Sequence, residues 1–146
     1  MQKTESSLIV EISADETGTC VSASARSNGF SGSGEAWFNR SVVERFVSDL
    51  KELTSTAKDE VNIEGGYWDG AGNLEDTLLS IRVYPFSNSR FGLHIHLEEH
   101  PGTDSRKNEI SRVSLELKVD NLQLADFQKE LCKSLQDQNH QSILKA

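Results

Sequence analysis

The sequence predicts an α+β fold, a two-layer sandwich in which about six strands form a mainly antiparallel sheet and two amphipathic helices cover one of its faces. Two observations support this class. Three segments alternate apolar with polar residues, which is typical of an antiparallel sheet with one buried and one solvated face. Two other segments repeat apolar residues at helical spacing.

The first part of the chain is expected to form three strands. Residues 8–12, "LIVEI", alternate in polarity and predict the first strand. A turn at 15–18 leads to a second strand at 20–25, which alternates small polar and apolar residues. A third strand, loosened by its glycines, is predicted within "GFSGSGEAWFN" at 29–39.

Two helices are predicted from capping residues and apolar stripes. Ser41 and Glu44 have the S-x-x-E form of a capping box, so the first helix is expected to follow Ser41. Asp120 is expected to cap the second helix, with Gln123 reaching back. The predicted buried stripes are Val43, Phe46, Val47, Leu50 and Leu53 in the first helix, and Leu124, Phe127, Leu131 and Leu135 in the second.

Between the helices, further strands are predicted at residues 61–64, 79–84, 93–97 and 113–119. The short turn at 87–89 indicates that the second and third of these form a hairpin. Such a hairpin places Arg82 opposite or diagonal to His94 and His96, while a further hairpin connection directs Arg112 and Lys118 to the same face.

Length and composition predict one soluble globular domain over residues 1–146, with 36% hydrophobic and 26% charged residues. Cys20 and Cys132 lack C-x-x-C spacing and are predicted to be free buried thiols. No segment resembles a signal peptide, and no apolar stretch approaches the roughly 20 residues that cross a bilayer. We therefore expect a cytoplasmic protein without membrane contact.

The net charge of −8 is concentrated in one acidic block. Between Lys58 and Arg82 there is no basic residue but six acidic ones, whereas the segment from Pro101 onward balances acids and bases. Such a block repels phosphate backbones and attracts basic partners. We expect no nucleic-acid partner.

Three of the four histidines lie in "GLHIHLEEHPG", where His94, His96, Glu98 and His100 occupy alternate positions. In a strand these side chains share one face, and histidine and carboxylate are zinc ligands. The alternative is the solvated face of a sheet, because Leu93 and its alternate neighbours face the core. The expected proximity of basic side chains disfavours a metal, so we expect none.

The other chemical motifs are weak. The glycines of "GFSGSGEAW" lack the order of a phosphate-binding or dinucleotide-binding loop, and "DGAGN" lacks the acidic spacing of a calcium loop. There is no G-x-S-x-G nucleophile motif, and neither cysteine neighbours a histidine. We therefore expect a protein that is not an enzyme, with no catalytic residue and no cofactor.

The segment "EGGYWDGAGNLEDT" is the most informative, because two large aromatic residues lie within the acidic block beside glycines that indicate a loop. Tyrosine and tryptophan are enriched at binding hot spots, and surrounding charge accelerates association with an oppositely charged partner. The alternative is that Trp68 fills the edge of the core and the acids solvate a loop. The predicted partner-binding residues are Tyr67, Trp68, Asp69, Glu75, Asp76 and Glu98.

The chain resembles the WapI-type family of small bacterial immunity proteins. The likeness lies in "EAWFN", "VVERFVSDLKEL", "LLSIRVYPF" and "VSLELKVDNLQLADFQKEL", which lie within residues 8–135. The histidine-bearing strand and the "GGYWDG" loop depart from the family pattern. The resemblance implies a stoichiometric inhibitor that binds and neutralises a cognate toxin domain, often a nuclease with a basic groove.

Two alternatives of different class remain beside the immunity protein. One is a metal-binding protein or metal-dependent enzyme that uses His94, His96 and Glu98. The other is a structural or assembly subunit that associates through a sheet edge or an apolar patch.

Overall fold

The computed structural model describes residues 6–55, 59–87, 89–100 and 109–146. These residues form two four-stranded antiparallel sheets and two α-helices. The predicted α+β class is therefore confirmed. The prediction of a single sheet of about six strands is wrong, because eight strands divide between two sheets.

The first sheet joins the beginning of the chain to its end. Its strands are β1 (Ser7–Asp15), β2 (Gly18–Ser27), β3 (Phe30–Phe38) and β8 (Gln141–Lys145). Their order is β3-β2-β1-β8, with β8 antiparallel to β1. The sequence did not predict β8, because only five residues pair and only Leu144 and Ser142 among them are buried.

The second sheet follows the order of the chain. Its strands are β4 (Val61–Trp68), β5 (Leu74–Ser87), β6 (Arg90–Glu98) and β7 (Arg112–Asp120). Arg82 pairs with His94, and Glu98 pairs with Arg112, so the predicted register of the polar face is confirmed. The "GGYW" segment is not a loop as predicted, because it forms the end of β4.

Strand β3 crosses the second sheet and joins the two layers. Gly32 lies against Val113 of β7, and Gly34 lies against the backbone of β5 and β6. The ring of Phe38 lies against Gly65 of β4, where a Cβ atom would come within 2.6 Å of it. Small residues are therefore needed at these crossings, since a larger side chain would separate the layers.

Helix α1 spans Arg40–Ser55. It begins before Ser41, which lies in the first turn, so the predicted capping role of Ser41 is wrong. The carbonyl of Asn39 accepts a hydrogen bond from the Val42 N–H at 3.0 Å. The predicted apolar stripe is confirmed, since all five of its residues are buried.

Helix α2 spans Asn121–Gln136 and has the predicted capping box. The Asp120 side chain accepts from the Gln123 backbone N–H at 2.7 Å, and the Gln123 side chain accepts from the Asp120 N–H at 2.8 Å. Such a cap stabilises a helix by about 1 kcal/mol. Leu124, Phe127 and Leu131 are buried as predicted, and Leu135 is half-buried.

One hydrophobic cluster includes residues of both sheets and both helices. The helices pack on each other, α1 also contacts β2 and β4, and α2 also contacts β1, β7 and β8. They therefore pack against both sheets, and do not cover one face of a single sheet as predicted.

Neither cysteine is in a disulfide; Cys20 is buried, but Cys132 is exposed. No helix in the described ranges is long and apolar enough to cross a membrane.

Candidate partner-binding surface

The hairpin of β4 and β5 brings together five of the six predicted partner-binding residues. Tyr67 and Trp68 end β4, and Glu75 and Asp76 begin β5, with Tyr67 paired to Asp76. Asp69 follows in the connecting loop. Trp68 is 53% exposed, and the three carboxylates are exposed as well. The tip of this hairpin, residues 67–76, is called the acidic hairpin below.

Asp69 shapes the loop between the two strands. Its carboxylate accepts hydrogen bonds from the backbone N–H groups of Ala71 at 2.8 Å and Asn73 at 2.9 Å. Its own N–H donates to the carbonyl of Asn73 at 2.8 Å. The hydrogen bond from Asn73, together with that from Ala71, lowers the pKa of Asp69. Asp69 therefore remains ionised, and its hydrogen bonds fix the conformation of the loop.

Two irregularities in β4 change the direction of its side chains. The pairing with β5 shifts between Gly65 and Gly66 and again between Tyr67 and Trp68. A Cβ atom on Gly66 would lie 1.9 Å from the carbonyl oxygen of Asp76, so the strands approach closely only because this residue is glycine. Bulges of this kind bend a strand and redirect its side chains. The exposure of Trp68 thus coincides with a bulge.

Tyr67 connects the acidic hairpin to the end of β6. Its hydroxyl forms a hydrogen bond with the imidazole of His100. The two rings meet edge to face, with centroids 5.0 Å apart and an angle of 77° between their planes. His100 is therefore engaged with Tyr67, and the hairpin is attached to the segment that follows β6.

Glu98, the sixth predicted residue, is held by its neighbours on the second sheet. It accepts a hydrogen bond from Arg112 Nε at 2.9 Å and lies 3.3 Å from His96 Nε2. Burial raises the pKa of Glu98, but the hydrogen bonds from Arg112 and His96 outweigh this effect and lower it. Glu98 is therefore a fixed, ionised part of the surface.

The alternating histidines have separate partners. His94 lies between Arg82 and Glu116 in the register of the sheet, and His96 Nδ1 is 2.7 Å from Ser114 Oγ. Within the described ranges, no three histidine, cysteine or acidic residues are grouped so that they could hold a metal ion. Alternate residues share a face of the strand, but their Cα atoms are about 6.6 Å apart, so alternation alone does not bring three side chains to one point.

The imidazole of His96 contacts both the hydroxyl of Ser114 and the carboxylate of Glu98. A hydroxyl, an imidazole and a carboxylate are the groups used by serine hydrolases. The sequence did not reveal this contact, because it depends on the register of β6 and β7. His96 is paired directly with Ser114, and Glu98 with Arg112. Cross-strand pairing accounts for the contacts of His96 with Ser114 and of Glu98 with Arg112, and alternation along β6 places His96 beside Glu98 on the same solvated face.

A cleft of about 430 Å³ lies beside the acidic hairpin. One wall is the first half of β3, and the other comes from the end of β6 and the start of β7. The described residues that line it are 31–35, 97–100 and 111–113. Because His100 lines the cleft and also contacts Tyr67, the acidic hairpin and the cleft form one continuous surface.

Among the described residues that line the cleft, acidic side chains outnumber basic ones. Glu35, Glu98 and Glu99 line it together with one arginine, Arg112. The sequence did not predict this cleft, because its two walls come from different sheets.

Comparison with models of known families, with curated proteins and with solved structures found no match for the chain.

Proposed function

We propose that the chain is a non-enzymatic binding protein, specifically a WapI-type immunity protein that neutralises a cognate bacterial toxin domain in the cytoplasm. The observation that carries this proposal is the exposed Trp68 on a hairpin rich in carboxylates. No basic residue occurs between Lys58 and Arg82, so this part of the surface favours a basic partner.

An exposed tryptophan supports a binding role because the free energy of the complex falls when a partner removes its apolar surface from water. Tryptophan and tyrosine are frequent among the residues that contribute most to binding energy. Here the loop built by Asp69 and the contact between Tyr67 and His100 hold the hairpin in place. A surface held in this way loses little conformational freedom on binding.

The carboxylates of the acidic hairpin have a different role from Trp68. Charges at the rim of an interface mainly increase the rate of encounter with an oppositely charged partner. A toxin nuclease with a basic groove has the required charge, and carboxylates that occupy such a groove compete with its phosphate substrate. The proposed partner is therefore a basic toxin domain.

The test is co-expression with the toxin domain encoded directly upstream, in the setting expected for an immunity gene. The wild-type chain is expected to protect the cells and to bind the purified toxin domain in calorimetry. Trp68→Ala should weaken binding by about 30-fold, in keeping with the roughly 2 kcal/mol of a hot-spot residue. The matched control is Phe86→Ala, which removes another exposed aromatic side chain at the other end of β5.

Two outcomes would count against this proposal. Failure of the wild-type chain to bind or protect would reject the immunity function. Equal loss of binding in the Trp68 and Phe86 variants would show that the acidic hairpin is not the specific contact.

A further inference from the structure

The two sheets have four edge strands, and three of them carry features that oppose pairing with another chain. β8 is only five residues long and ends in Lys145. β4 has two register shifts, and β7 carries alternating charges that include Arg112, Glu116 and Lys118. Short length, bulges and charges are the means by which proteins protect sheet edges.

β3 has little of this protection, because its single charged residue is Glu35. It spans nine residues, pairs with β2 from Phe30 to Phe38 without a register shift, and contains no lysine, arginine or proline. A long regular edge with so little protection is a template for another strand. Its side chains between residues 31 and 34 are only serine and glycine, so an approaching backbone meets little steric hindrance.

The turn between β2 and β3 determines which backbone groups of β3 point outward. Asn28 and Gly29 have φ values of 53° and 88°, as in a two-residue hairpin turn. In such a hairpin the flanking pair, Ser27 and Phe30, exchanges both backbone hydrogen bonds. Every second residue from Phe30 therefore bonds to β2. The residues between them direct their N–H and C=O groups to the open edge: Ser31, Ser33, Glu35 and Trp37.

This open edge forms one wall of the acidic cleft. Five residues of a strand extend about 17 Å, and a neighbouring strand lies about 4.8 Å away. The opposite wall contributes Glu98 and Glu99, while Glu35 lies on β3 itself. A strand placed here would therefore pair with outward backbone groups, and among the described lining residues it would meet three carboxylates and one arginine.

We propose that the edge of β3 from Ser31 to Glu35 binds an extended segment of the partner that contains lysine or arginine, as an added strand of the first sheet. The inference deepens the proposed function and rests on it, because it describes how the same partner is held beside the acidic hairpin. Strand addition uses backbone hydrogen bonds for affinity and side chains for specificity. A second copy of β3 has Glu35 and no basic residue, so it does not match the charge of the cleft.

The test uses a nine-residue peptide with blocked ends in which valine and lysine alternate. Binding is followed by NMR of the ¹⁵N-labelled chain and by amide hydrogen exchange. The peptide is expected to slow exchange at Ser31, Ser33 and Glu35. Exchange at Gly32 and Gly34 should change little, because these amides are already bonded to β2.

The matched variants are Ser33→Pro and Ser33→Ala. Proline removes the outward N–H at residue 33 and leaves the hydrogen bonds to β2 in place, and proline is tolerated on edge strands for this reason. Ser33→Pro should bind the lysine peptide at least about 10-fold more weakly than the wild type, since it removes one backbone hydrogen bond and obstructs the approach of the added strand. Ser33→Ala should bind it as the wild type does. A peptide with glutamate in place of lysine should also bind at least about 10-fold more weakly.

Any of the following results would overturn the inference. The first is unchanged amide exchange at β3 in the presence of the lysine peptide, or equal binding by Ser33→Pro. The second is equal binding of the glutamate peptide, which would remove the charge preference. The third is a dimer in sedimentation that Ser33→Pro dissociates, which would make a second copy of the chain the occupant.

The same variants separate this inference from the proposed function. If Ser33→Pro still neutralises the toxin domain while Trp68→Ala does not, the immunity function stands and strand addition is wrong. If the lysine peptide binds at β3 but the wild-type chain neutralises no toxin, the edge binds basic strands and the immunity function is wrong.

Discussion

β3 and β4 are edge strands of different sheets, and the two strands contact each other. Their glycines have opposite effects on the regularity of strand pairing. Gly32 and Gly34 let β3 cross the second sheet while its pairing with β2 remains regular. Gly65 and Gly66 lie where the pairing of β4 with β5 shifts. The regular strand therefore presents backbone groups at its edge, whereas the irregular strand presents the side chain of Trp68. The two halves of the surface offer a partner different kinds of contact.

The largest effect is expected for Gly66→Ala, which tests the irregular strand. The added Cβ would meet the Asp76 carbonyl oxygen at 1.9 Å and the Leu78 nitrogen at 2.8 Å, and both are backbone atoms that cannot rotate away. We expect the free energy of unfolding to fall by about 3 kcal/mol in urea denaturation. Gly70→Ala is the control, because a Cβ there has no atom within 4 Å, and it should change stability by less than about 0.5 kcal/mol. Equal stability of the two variants would contradict the close packing at Gly66.

The next effect concerns the charges that surround Trp68. Reversing Glu75 and Asp76 to lysine should slow association with the basic toxin domain about 10-fold at low salt and weaken its salt dependence. The control reverses Glu16 and Asp126, which are exposed and lie outside the acidic hairpin, and so makes the same change in net charge. Stopped-flow measurements of the association rate at several salt concentrations distinguish the two charge-reversed variants. Equal slowing by both pairs would mean that only the total charge matters.

A smaller effect is expected for Gly32→Ala, which tests the regular strand. The added Cβ would come within 2.4 Å of Val113 Cγ1, but this atom ends a side chain that is able to rotate. We expect a loss of about 1 kcal/mol in the free energy of unfolding. Adding Val113→Ala should recover part of this loss, so the double variant should be more stable than the sum of the single changes predicts. Strict additivity would show that the two residues do not compete for space.

Local sequence patterns predicted those parts of the fold that depend on near neighbours. The capping box of Asp120 and Gln123 is confirmed because both residues lie within one helical turn. The pairing of Arg82 with His94 is confirmed because a short connection determines the register. The division into two sheets was not predictable in this way, since it depends on β3 packing across the second sheet without pairing with any of its strands.

The candidate surface shows the same contrast. The residues of the acidic hairpin were recognised together because they are close in sequence and occur in one acidic block. Glu98 is also a predicted partner-binding residue, but in the structure its carboxylate contacts Arg112 and His96. The cleft depends on β3 crossing the second sheet, and no local pattern of charge or hydrophobicity encodes a crossing. Its signal in the sequence is only the "GFSGSG" segment, whose glycines predict a loosened third strand.

The smallest effect concerns Glu98, which differs from the carboxylates of the acidic hairpin because Arg112 and His96 hold it in place. Its pKa lies below the usual 4.5, so its ionised form stabilises the folded chain above about pH 4.5, and this contribution is lost as the pH falls through the lowered value. Glu98→Gln should cost about 0.5 kcal/mol at pH 7, and the difference from the wild type should shrink toward pH 3. Urea denaturation across this pH range measures the effect. Arg112→Gln should remove much of the same pH dependence, since the guanidinium is a principal cause of the lowered pKa. A difference between wild type and Glu98→Gln that stays constant with pH would show that Glu98 contributes by packing and not by its charge.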